Sequence, residues 1–131
     1  MVKVIDVYPD TLAMLNPELP NPQRVRLGGY QQLVRGELFR GKFRNSFERP
    51  EPFVPGRVTK VEYELPDVFH TFQQGHRIMI QVQSSWFPLV DRNPQTFVDI
   101  YQAKAADFRK ATHRVWRTRA MSSRVTVGVL P

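Results

Sequence analysis

The sequence contains no cysteine and no long apolar run. The absence of cysteine excludes a disulfide framework, a thiolate metal site and a cysteine nucleophile. The longest apolar run has about five residues, whereas a membrane-spanning helix needs about 20. We therefore expect no membrane-spanning helix, and the absence of cysteine leaves the cellular compartment open.

Acidic residues are scarce in the second half of the chain. Residues 68–131 contain nine Lys or Arg against three Asp or Glu, a balance of +6, whereas residues 1–67 are nearly neutral at +1. Most of the excess comes from Arg109, Lys110, Arg114, Arg117, Arg119 and Arg124. Such a segment can attract a phosphate backbone. A solvated face, or a surface that meets an acidic partner domain, explains the charge more readily.

Length and composition indicate one folded domain. A chain of 131 residues with 41% hydrophobic and 24% charged residues has an ordinary globular composition. If it folds alone, a chain of this size buries roughly two-thirds of its unfolded surface. We therefore expect a single domain over residues 1–131.

Apolar and polar residues alternate in several short segments, which is typical of strands with one buried and one solvated face. The clearest segments are residues 57–65, 77–84 and 124–129. Weaker strand candidates cover residues 2–8, 33–44 and 111–116. Residues 100–108 favour a helical turn or two, and residues 10–27 predict a long surface loop.

Turn residues separate these segments. The dipeptide Pro55-Gly56 directly precedes one of the clearest candidate strands. Gly75 stands at the entry of another, where glycine permits a positive φ. Several short antiparallel strands with such turns are typical of a β-sandwich or a barrel.

No arrangement of nucleophile and base is found in the sequence. None of the five serines lies in the Gly-x-Ser-x-Gly turn that exposes a serine nucleophile. The serine pairs at 84–85 and 122–123 are typical of strand ends, where hydroxyls cap backbone groups. His70, His76 and His113 lack the spacing of a zinc site and are interpreted as structural. We therefore expect no catalytic residue, no metal and no other cofactor in this chain.

The loop after the 77–84 segment is the densest candidate for a docking surface. Its candidate interface residues are Trp86, Phe87, Asp91, Arg92 and Asn93. Asp91 and Arg92 are neighbours that point apart in an extended chain, so we expect each to pair with another group. Aromatic residues could instead form a sugar-binding or base-stacking platform, with the candidates Trp86, Phe87, Tyr101 and Trp116. Packing against another surface is the commoner role of such residues.

Five segments, taken in order, resemble one family of proteins. The longest is GHRIMIQVQSSWFPLVDRNPQT at residues 75–96. The others are VKVIDVYPD at 2–10, LVRGELFRGKFRNS at 33–46, PGRVTKVEYELP at 55–66 and SSRVTVGVLP at 122–131. Together they resemble the C-terminal β-sandwich of the serine hydrolases that include cocaine esterase, α-amino acid ester hydrolase, cephalosporin acylase and X-Pro dipeptidyl peptidase. Residues 97–117 are similar to the acylase-type branch.

The resemblance implies an all-β, jelly-roll-like sandwich of the galactose-binding-like kind, attached to an α/β-hydrolase domain. The Ser–Asp–His triad of that family belongs to the hydrolase domain, and no position of this sequence matches a triad motif. The implied role is a non-catalytic accessory domain, with the α/β-hydrolase catalytic domain as its partner, upstream in the parent chain or separate. Such a module would wall the substrate cleft and support domain or subunit contacts.

The resemblance also implies a jelly roll that is truncated at its N-terminus, because only Met1 precedes the VKVIDVYPD segment. A sandwich without its first strands exposes unpaired backbone groups along a sheet edge. We therefore expect self-association into a homo-oligomer by edge pairing or strand exchange, or else low stability. From the residues alone, the alternative is a free-standing module that binds carbohydrate or, less readily, nucleic acid.

Overall fold

The structure is a computed structural model, and it describes residues 1–10 and 27–130. The described strands are β1 (Val2–Val7), β2 (Gln31–Glu37), β3 (Arg77–Val82), β4 (Arg117–Thr118) and β5 (Met121–Ser122). Two short 3-10 helices cover Gly41–Phe43 and Ala105–Asp107. All strand pairs are antiparallel, which confirms the all-β prediction. The jelly-roll arrangement stays a prediction.

The chain divides into two compact units, Met1–Asn93 and Pro94–Pro131. The first unit contains a three-stranded sheet in the order β2-β1-β3. The second contains the two-residue strands β4 and β5, which form a hairpin. The loop predicted for residues 10–27 lies outside the described residues except at its two ends.

Strand β1 is the centre of the sheet because it pairs on both sides. Val4 lies opposite Arg35 of β2 and Ile80 of β3. The β1–β2 register shifts between Val4 and Ile5, so that one extra residue of β2, Val34, forms a bulge. The predicted strand over 2–8 is therefore confirmed, and the one over 33–44 is found at Gln31–Glu37.

The turns expected at two glycines are present. Gly75 has a φ of +87°, two residues before β3 begins, and this confirms its predicted role at the strand entry. Gly56 has a φ of +77°, and the amide of Arg57 donates to the carbonyl of Val54 at 3.1 Å. Proline followed by a positive-φ glycine is the pattern of a type II turn. The turn predicted at Pro55-Gly56 is therefore confirmed.

The core of the sheet lies on β1. Its last three residues, Ile5, Asp6 and Val7, are all buried. Ile5 and Val7 share one face of the strand, whereas Asp6 lies on the opposite face with Val2 and Val4. A buried carboxylate at an otherwise apolar position is unusual and needs partners.

Strand β3 alternates as predicted, but its apolar face is not buried. Ile78, Ile80 and Val82 remain 63%, 42% and 52% exposed. The alternation predicts which side chains share a face, and burial requires a second layer over that face. Among the described residues, β3 is an edge strand and this layer is missing over it.

Three other predicted strands are wrong for the described structure. Residues 57–65, 111–116 and 124–129 form no hydrogen-bonded strand. A strand exists only where a neighbour supplies the partners of its backbone N–H and C=O groups. Short strands occur instead at β4 and β5, where the turn allows a hairpin to close. The helical turn predicted within 100–108 is found as the 3-10 helix Ala105–Asp107.

Candidate functional site

The predicted docking loop begins at a side chain that packs on the sheet. Trp86 is half-buried, and the Nζ atom of Lys3 lies 4.7 Å from its ring centroid. The ring also passes close to β2, because a Cβ atom added at Gly36 would lie 3.0 Å from the Trp86 Cη2 atom. The indole is therefore engaged with the first unit itself, as the packing interpretation of the aromatics expects.

The rest of the loop is held by polar contacts within the same unit. Asp91 forms an ion pair with Arg40 at 2.5 Å. This confirms the prediction that Asp91 pairs with a group other than the adjacent Arg92. The side-chain amide of Asn93 donates from Nδ2 to the backbone carbonyl of Ser84 at 3.1 Å. Ser85 Oγ accepts from the amide of Phe87 at 3.3 Å, as expected for a serine at a strand end. These bonds fix the two ends of the loop to the body of the unit.

The tip of the loop is apolar and open to solvent. Phe87 is 65% exposed and Leu89 is 67% exposed, and Pro88 lies between them. Arg92 is exposed beside Asp91. An apolar tip on an internally bonded loop loses little conformational entropy when it docks. That the tip docks on a partner stays a prediction.

The structure also brings together three residues that the sequence analysis did not connect. Asp6 is only 1% exposed and lies between two histidines that precede β3. His70 Nε2 lies 2.9 Å from Asp6 Oδ2, and His76 Nδ1 lies 2.8 Å from Asp6 Oδ1. Each carboxylate oxygen therefore has its own histidine partner. We name these three residues the Asp–His brace.

The electrostatics of the brace favour the ionised carboxylate. Burial alone would raise the pKa of Asp6. The hydrogen bonds from His70 and His76, together with their charge interactions, outweigh that effect and lower the pKa below its ordinary value. The buried carboxylate thus stays charged because its partners compensate the loss of water.

Aromatic and polar neighbours hold the brace in place. The Tyr8 ring lies 4.5 Å from the His76 ring between centroids, and the Phe72 ring lies 4.8 Å from the His70 ring. Tyr8 also donates its hydroxyl to Gln32 Oε1 at 2.6 Å. The segment before β3 is therefore attached to β1 and to Tyr8 through the side chains of His70 and His76.

The histidines of the brace bond to a carboxylate and to no serine among the described residues. The hydrogen bonds of its two histidines run to a carboxylate, and His113 bonds to Gln95 Oε1 at 2.8 Å. The triad histidine of a serine hydrolase also bonds to a carboxylate, but its other ring nitrogen bonds to the nucleophile. Among the described residues, no serine hydroxyl bonds to His70 or His76. Within residues 1–10 and 27–130, no group of three or more His, Asp or Glu residues could hold a metal ion. Each of the three histidines thus has a hydrogen-bond partner within the protein, and its structural role stays a prediction.

One signal in the sequence could have pointed to the brace. Asp6 interrupts the apolar run VKVIDV at a position that shares its face with Val2 and Val4. A charged residue there requires a partner from a distant part of the chain. The partners are 64 and 70 positions away, so one sequence cannot identify them.

A polar groove of about 380 Å³ lies elsewhere on the first unit. Arg44 and Glu51 line it and pair with each other at 3.2 Å. Arg57 and Lys60 also line it, and no serine or histidine does. The groove therefore lacks the serine and the histidine of a Ser–His–Asp triad.

The second unit carries the basic residues noted in the sequence. Residues 94–131 contain seven Lys or Arg against two Asp or Glu, a net charge of +5. Asp99 Oδ1 accepts from the amide of Tyr101 at 3.0 Å, and Asp107 Oδ2 accepts from the amide of Lys104 at 2.8 Å. Both carboxylates therefore accept hydrogen bonds from backbone amides. The arginines from Arg109 to Arg124 are exposed.

The chain matches one family of domains and is similar to part of a longer protein. Residues 1–126 match the family described as the X-Pro dipeptidyl-peptidase C-terminal non-catalytic domain. The chain is 27% identical over 128 residues to the cocaine esterase of Rhodococcus sp. (strain MB1 Bresler), covering 98% of this chain and 19% of that protein.

One solved structure is also similar to this chain. The crystal structure of an aminopeptidase from the marine sediment archaeon Thaumarchaeota archaeon matches with a TM-score of 0.69 and 52% identity. The match covers 82% of this chain and 16% of that one. The chain thus spans less than a fifth of the length of either relative. In the described residues no helix is both long and apolar enough to span a bilayer.

Proposed function

The chain belongs to the family of X-Pro dipeptidyl-peptidase C-terminal non-catalytic domains, and on that premise we propose that it serves as the accessory domain of a serine hydrolase. Its partner is an α/β-hydrolase catalytic domain, in the same polypeptide or in a separate one. In that assembly the catalytic domain attacks acyl, ester or peptide bonds. This module walls the substrate cleft and supports the domain or subunit contacts.

Two observations support a non-catalytic role. No serine of the sequence lies in a nucleophile turn. The histidines of the described residues bond to Asp6 and to Gln95. We therefore assign the chemistry of such an assembly to another domain.

The observation that carries the docking role is the exposed tip of the 86–93 loop. Phe87 and Leu89 present apolar surface on a loop that Trp86, Asp91 and Asn93 anchor to the first unit. Apolar anchors on a rigid support are the usual energetic centre of an interface. We assign Trp86, Asp91 and Asn93 to holding the loop, and Phe87 with Arg92 to contacting the partner.

The first experiment tests whether the chain has chemistry of its own. Purified chain is incubated with p-nitrophenyl acetate and with an X-Pro p-nitroanilide, and the release of product is followed by absorbance. We expect rates equal to those of buffer. A rate that a single serine or histidine replacement abolishes would overturn the proposal.

The second experiment tests docking in a hydrolase polypeptide that carries this segment. Phe87→Ser removes the aromatic anchor of the tip, and Phe69→Ser removes another exposed phenylalanine that is not part of the 86–93 loop. We expect Phe87→Ser to lower the melting temperature and kcat/KM of the hydrolase, while Phe69→Ser leaves both near the parent values. Equal effects of the two variants would contradict the assignment of the tip.

A second candidate function, nucleic-acid binding, is favoured by the charge of the second unit. Exposed arginines among residues 109–124 are the electrostatic footprint of a phosphate-binding surface. Binding of this kind weakens steeply as salt rises. Retention of the chain on heparin and on duplex DNA, lost between about 50 and 200 mM salt, would favour this candidate over the accessory role.

A further inference from the structure

The polar groove of the first unit has more positive than negative charge in its lining. Its charged lining residues are Arg44, Arg57, Lys60 and Glu51, three cations and one carboxylate, which give a net charge of +2. A cleft lined mainly by one sign of charge concentrates ions of the opposite sign, because its walls have a lower dielectric constant than water. The lining therefore favours an anionic ligand.

Arg44 builds one wall of the groove and is fixed by the surrounding chain. Its side chain is only 9% exposed. The Nη1 atom donates to the carbonyls of Gly41 and Glu51 at 3.1 and 2.9 Å, and Nη2 donates to the carbonyl of Pro52 at 3.1 Å. The guanidinium also lies 4.6 Å from the centroid of the Phe53 ring. This wall is thus ordered before a ligand arrives, which lowers the entropic cost of binding.

The carboxylate in the lining is already matched by groups of the same wall. Glu51 Oε2 accepts from Arg44 Nη2 at 3.2 Å and from Asn45 Nδ2 at 2.9 Å. The backbone amide of Glu51 donates to the carbonyl of Lys42 at 2.8 Å. Because Arg44 and Glu51 compensate each other, the net charge of the lining comes from Arg57 and Lys60.

These two cations follow the turn at Pro55-Gly56 and are available to a ligand. Among the described residues, the guanidinium of Arg57 has neither a hydrogen bond nor an ion pair. Lys60 pairs with Glu62 at 2.5 Å, but the two side chains are 79% and 73% exposed. An ion pair so exposed contributes little, so a ligand can replace Glu62. An unmatched guanidinium binds carboxylate or phosphate oxygens through two parallel N–H bonds.

The uncharged lining limits the organic part of the ligand. Asn45 and Thr59 are polar, whereas Val54 and Val58 are apolar and 55% and 41% exposed. The volume of about 380 Å³ lies at the small end of ligand sites, which span about 300–1,000 Å³. A short organic chain beside the charged groups fits this lining, whereas a large apolar molecule does not.

We propose that this groove binds a small organic dianion. Its negative charges pair with Arg57 and Lys60, and its short carbon skeleton lies against Val54 and Val58. A dicarboxylate and a phosphomonoester both provide two negative charges, so the charge of the ligand is the property that the groove recognises. The site is separate from the 86–93 loop and does not depend on the accessory role, because binding is measured on the full chain without a catalytic domain.

The first test uses pairs of ligands that differ by one charge. Isothermal titration calorimetry of the full chain is done with succinate and with methyl phosphate, in a low-salt Tris buffer at about pH 8, where a phosphomonoester carries close to two charges. Succinamate and dimethyl phosphate are the matched monoanions. We expect at least one dianion to bind with a stoichiometry of one, and its monoanion to bind about tenfold more weakly. The tighter of the two dianions identifies the ligand as a dicarboxylate or a phosphomonoester.

The second test locates the ligand in the groove. Arg57→Gln removes the unmatched guanidinium, and we expect it to raise the Kd of the dianion about tenfold. Lys60→Gln removes a more exposed cation, and we expect a rise of about threefold. Arg49→Gln is the matched control, because Arg49 is exposed, belongs to the same unit and does not line the groove. It removes the same charge and should change the Kd by less than about twofold. Thermal melts of the three variants verify that each remains folded.

Three outcomes would overturn the proposal. One is the absence of binding of both dianions at concentrations up to about 10 mM. Another is equal affinity for each dianion and its monoanion, which would show that the second charge is not recognised. The third is an equal loss of affinity in Arg57→Gln and Arg49→Gln, which would assign the binding to the net charge of the chain and not to the groove.

Discussion

The units Met1–Asn93 and Pro94–Pro131 differ in how their charged side chains are partnered. In the first unit, Asp6 is buried between two histidines, and Arg44 donates to the carbonyls of Gly41, Glu51 and Pro52. In the second unit, the described carboxylates of Asp99 and Asp107 bond to backbone amides. Its arginines are exposed, and within the described residues of that unit no ion pair is recorded.

This difference shows which charges contribute to the fold. A charge that is buried must be matched by hydrogen bonds and opposite charge, so its removal is costly. A charge that is exposed is already solvated, so its removal changes little. The first unit should therefore respond strongly to single polar substitutions, and the second unit should respond weakly.

The largest effect is expected at the centre of the Asp–His brace. Asp6→Ala leaves two half-buried or buried histidines without their acceptor and should lower the free energy of unfolding by about 3 kcal/mol. Urea denaturation followed by far-UV circular dichroism measures this change. Asp99→Ala is the control in the second unit, where the loss of one exposed hydrogen bond should cost less than about 1 kcal/mol. Similar losses for the two variants would remove the distinction between the units.

The next largest effect is a loss of folding stability at acidic pH. Because the pKa of Asp6 is lowered in the folded chain, the unfolded chain binds more protons as pH falls through the carboxyl range. The stabilisation by Asp6 is therefore fully present above the ordinary carboxyl pKa and is lost as pH falls through the lowered one. Urea titrations between pH 7 and pH 2 should show this loss, and Asp6→Asn should flatten it. A parent-like acid dependence in Asp6→Asn would assign the loss to other carboxylates.

A smaller effect is expected at the turn of the first unit. Gly56 has a positive φ and open space around it, so Gly56→Ala introduces backbone strain without a steric contact. We expect a loss of about 1 kcal/mol. Gly128 in the second unit is equally open but does not have a positive φ, so Gly128→Ala should be near neutral. Thermal melts of the two variants therefore measure the cost of the positive φ, because neither added methyl group meets a neighbouring atom.

The smallest effect is expected among the arginines of the second unit. Arg119→Gln removes one exposed charge from the hairpin turn between β4 and β5. We expect the free energy of unfolding to change by less than about 0.5 kcal/mol. A loss above about 1 kcal/mol would show that these cations have partners that stabilise the fold.

Local pattern predicted the strands that have neighbours in this chain. Strands β1, β2 and β3 were expected from their β-branched and alternating residues, and each is present. The segments at 57–65 and 124–129 alternate equally well but form no strand. Alternation describes the two faces of a segment, whereas a strand also needs hydrogen bonds from another segment.

The candidate docking loop was predicted in part. Its position after β3 and the pairing of Asp91 with another group follow from the sequence and are present. That Trp86 packs over Gly36 and Lys3 could not be predicted, because those contacts join residues about 50 and 80 positions apart in the chain.

The amino-acid sequence alone determined the all-β class, the turns at Gly56 and Gly75, the uneven charge and the absence of a nucleophile turn. These are local properties, because they depend on a few consecutive residues or on composition. Only the tertiary structure decided that Asp6 meets His70 and His76 and that β3 is an edge strand of the sheet formed by the described residues. Burial and hydrogen-bond partners depend on segments distant in the chain, and a pattern within one segment contains no information about them.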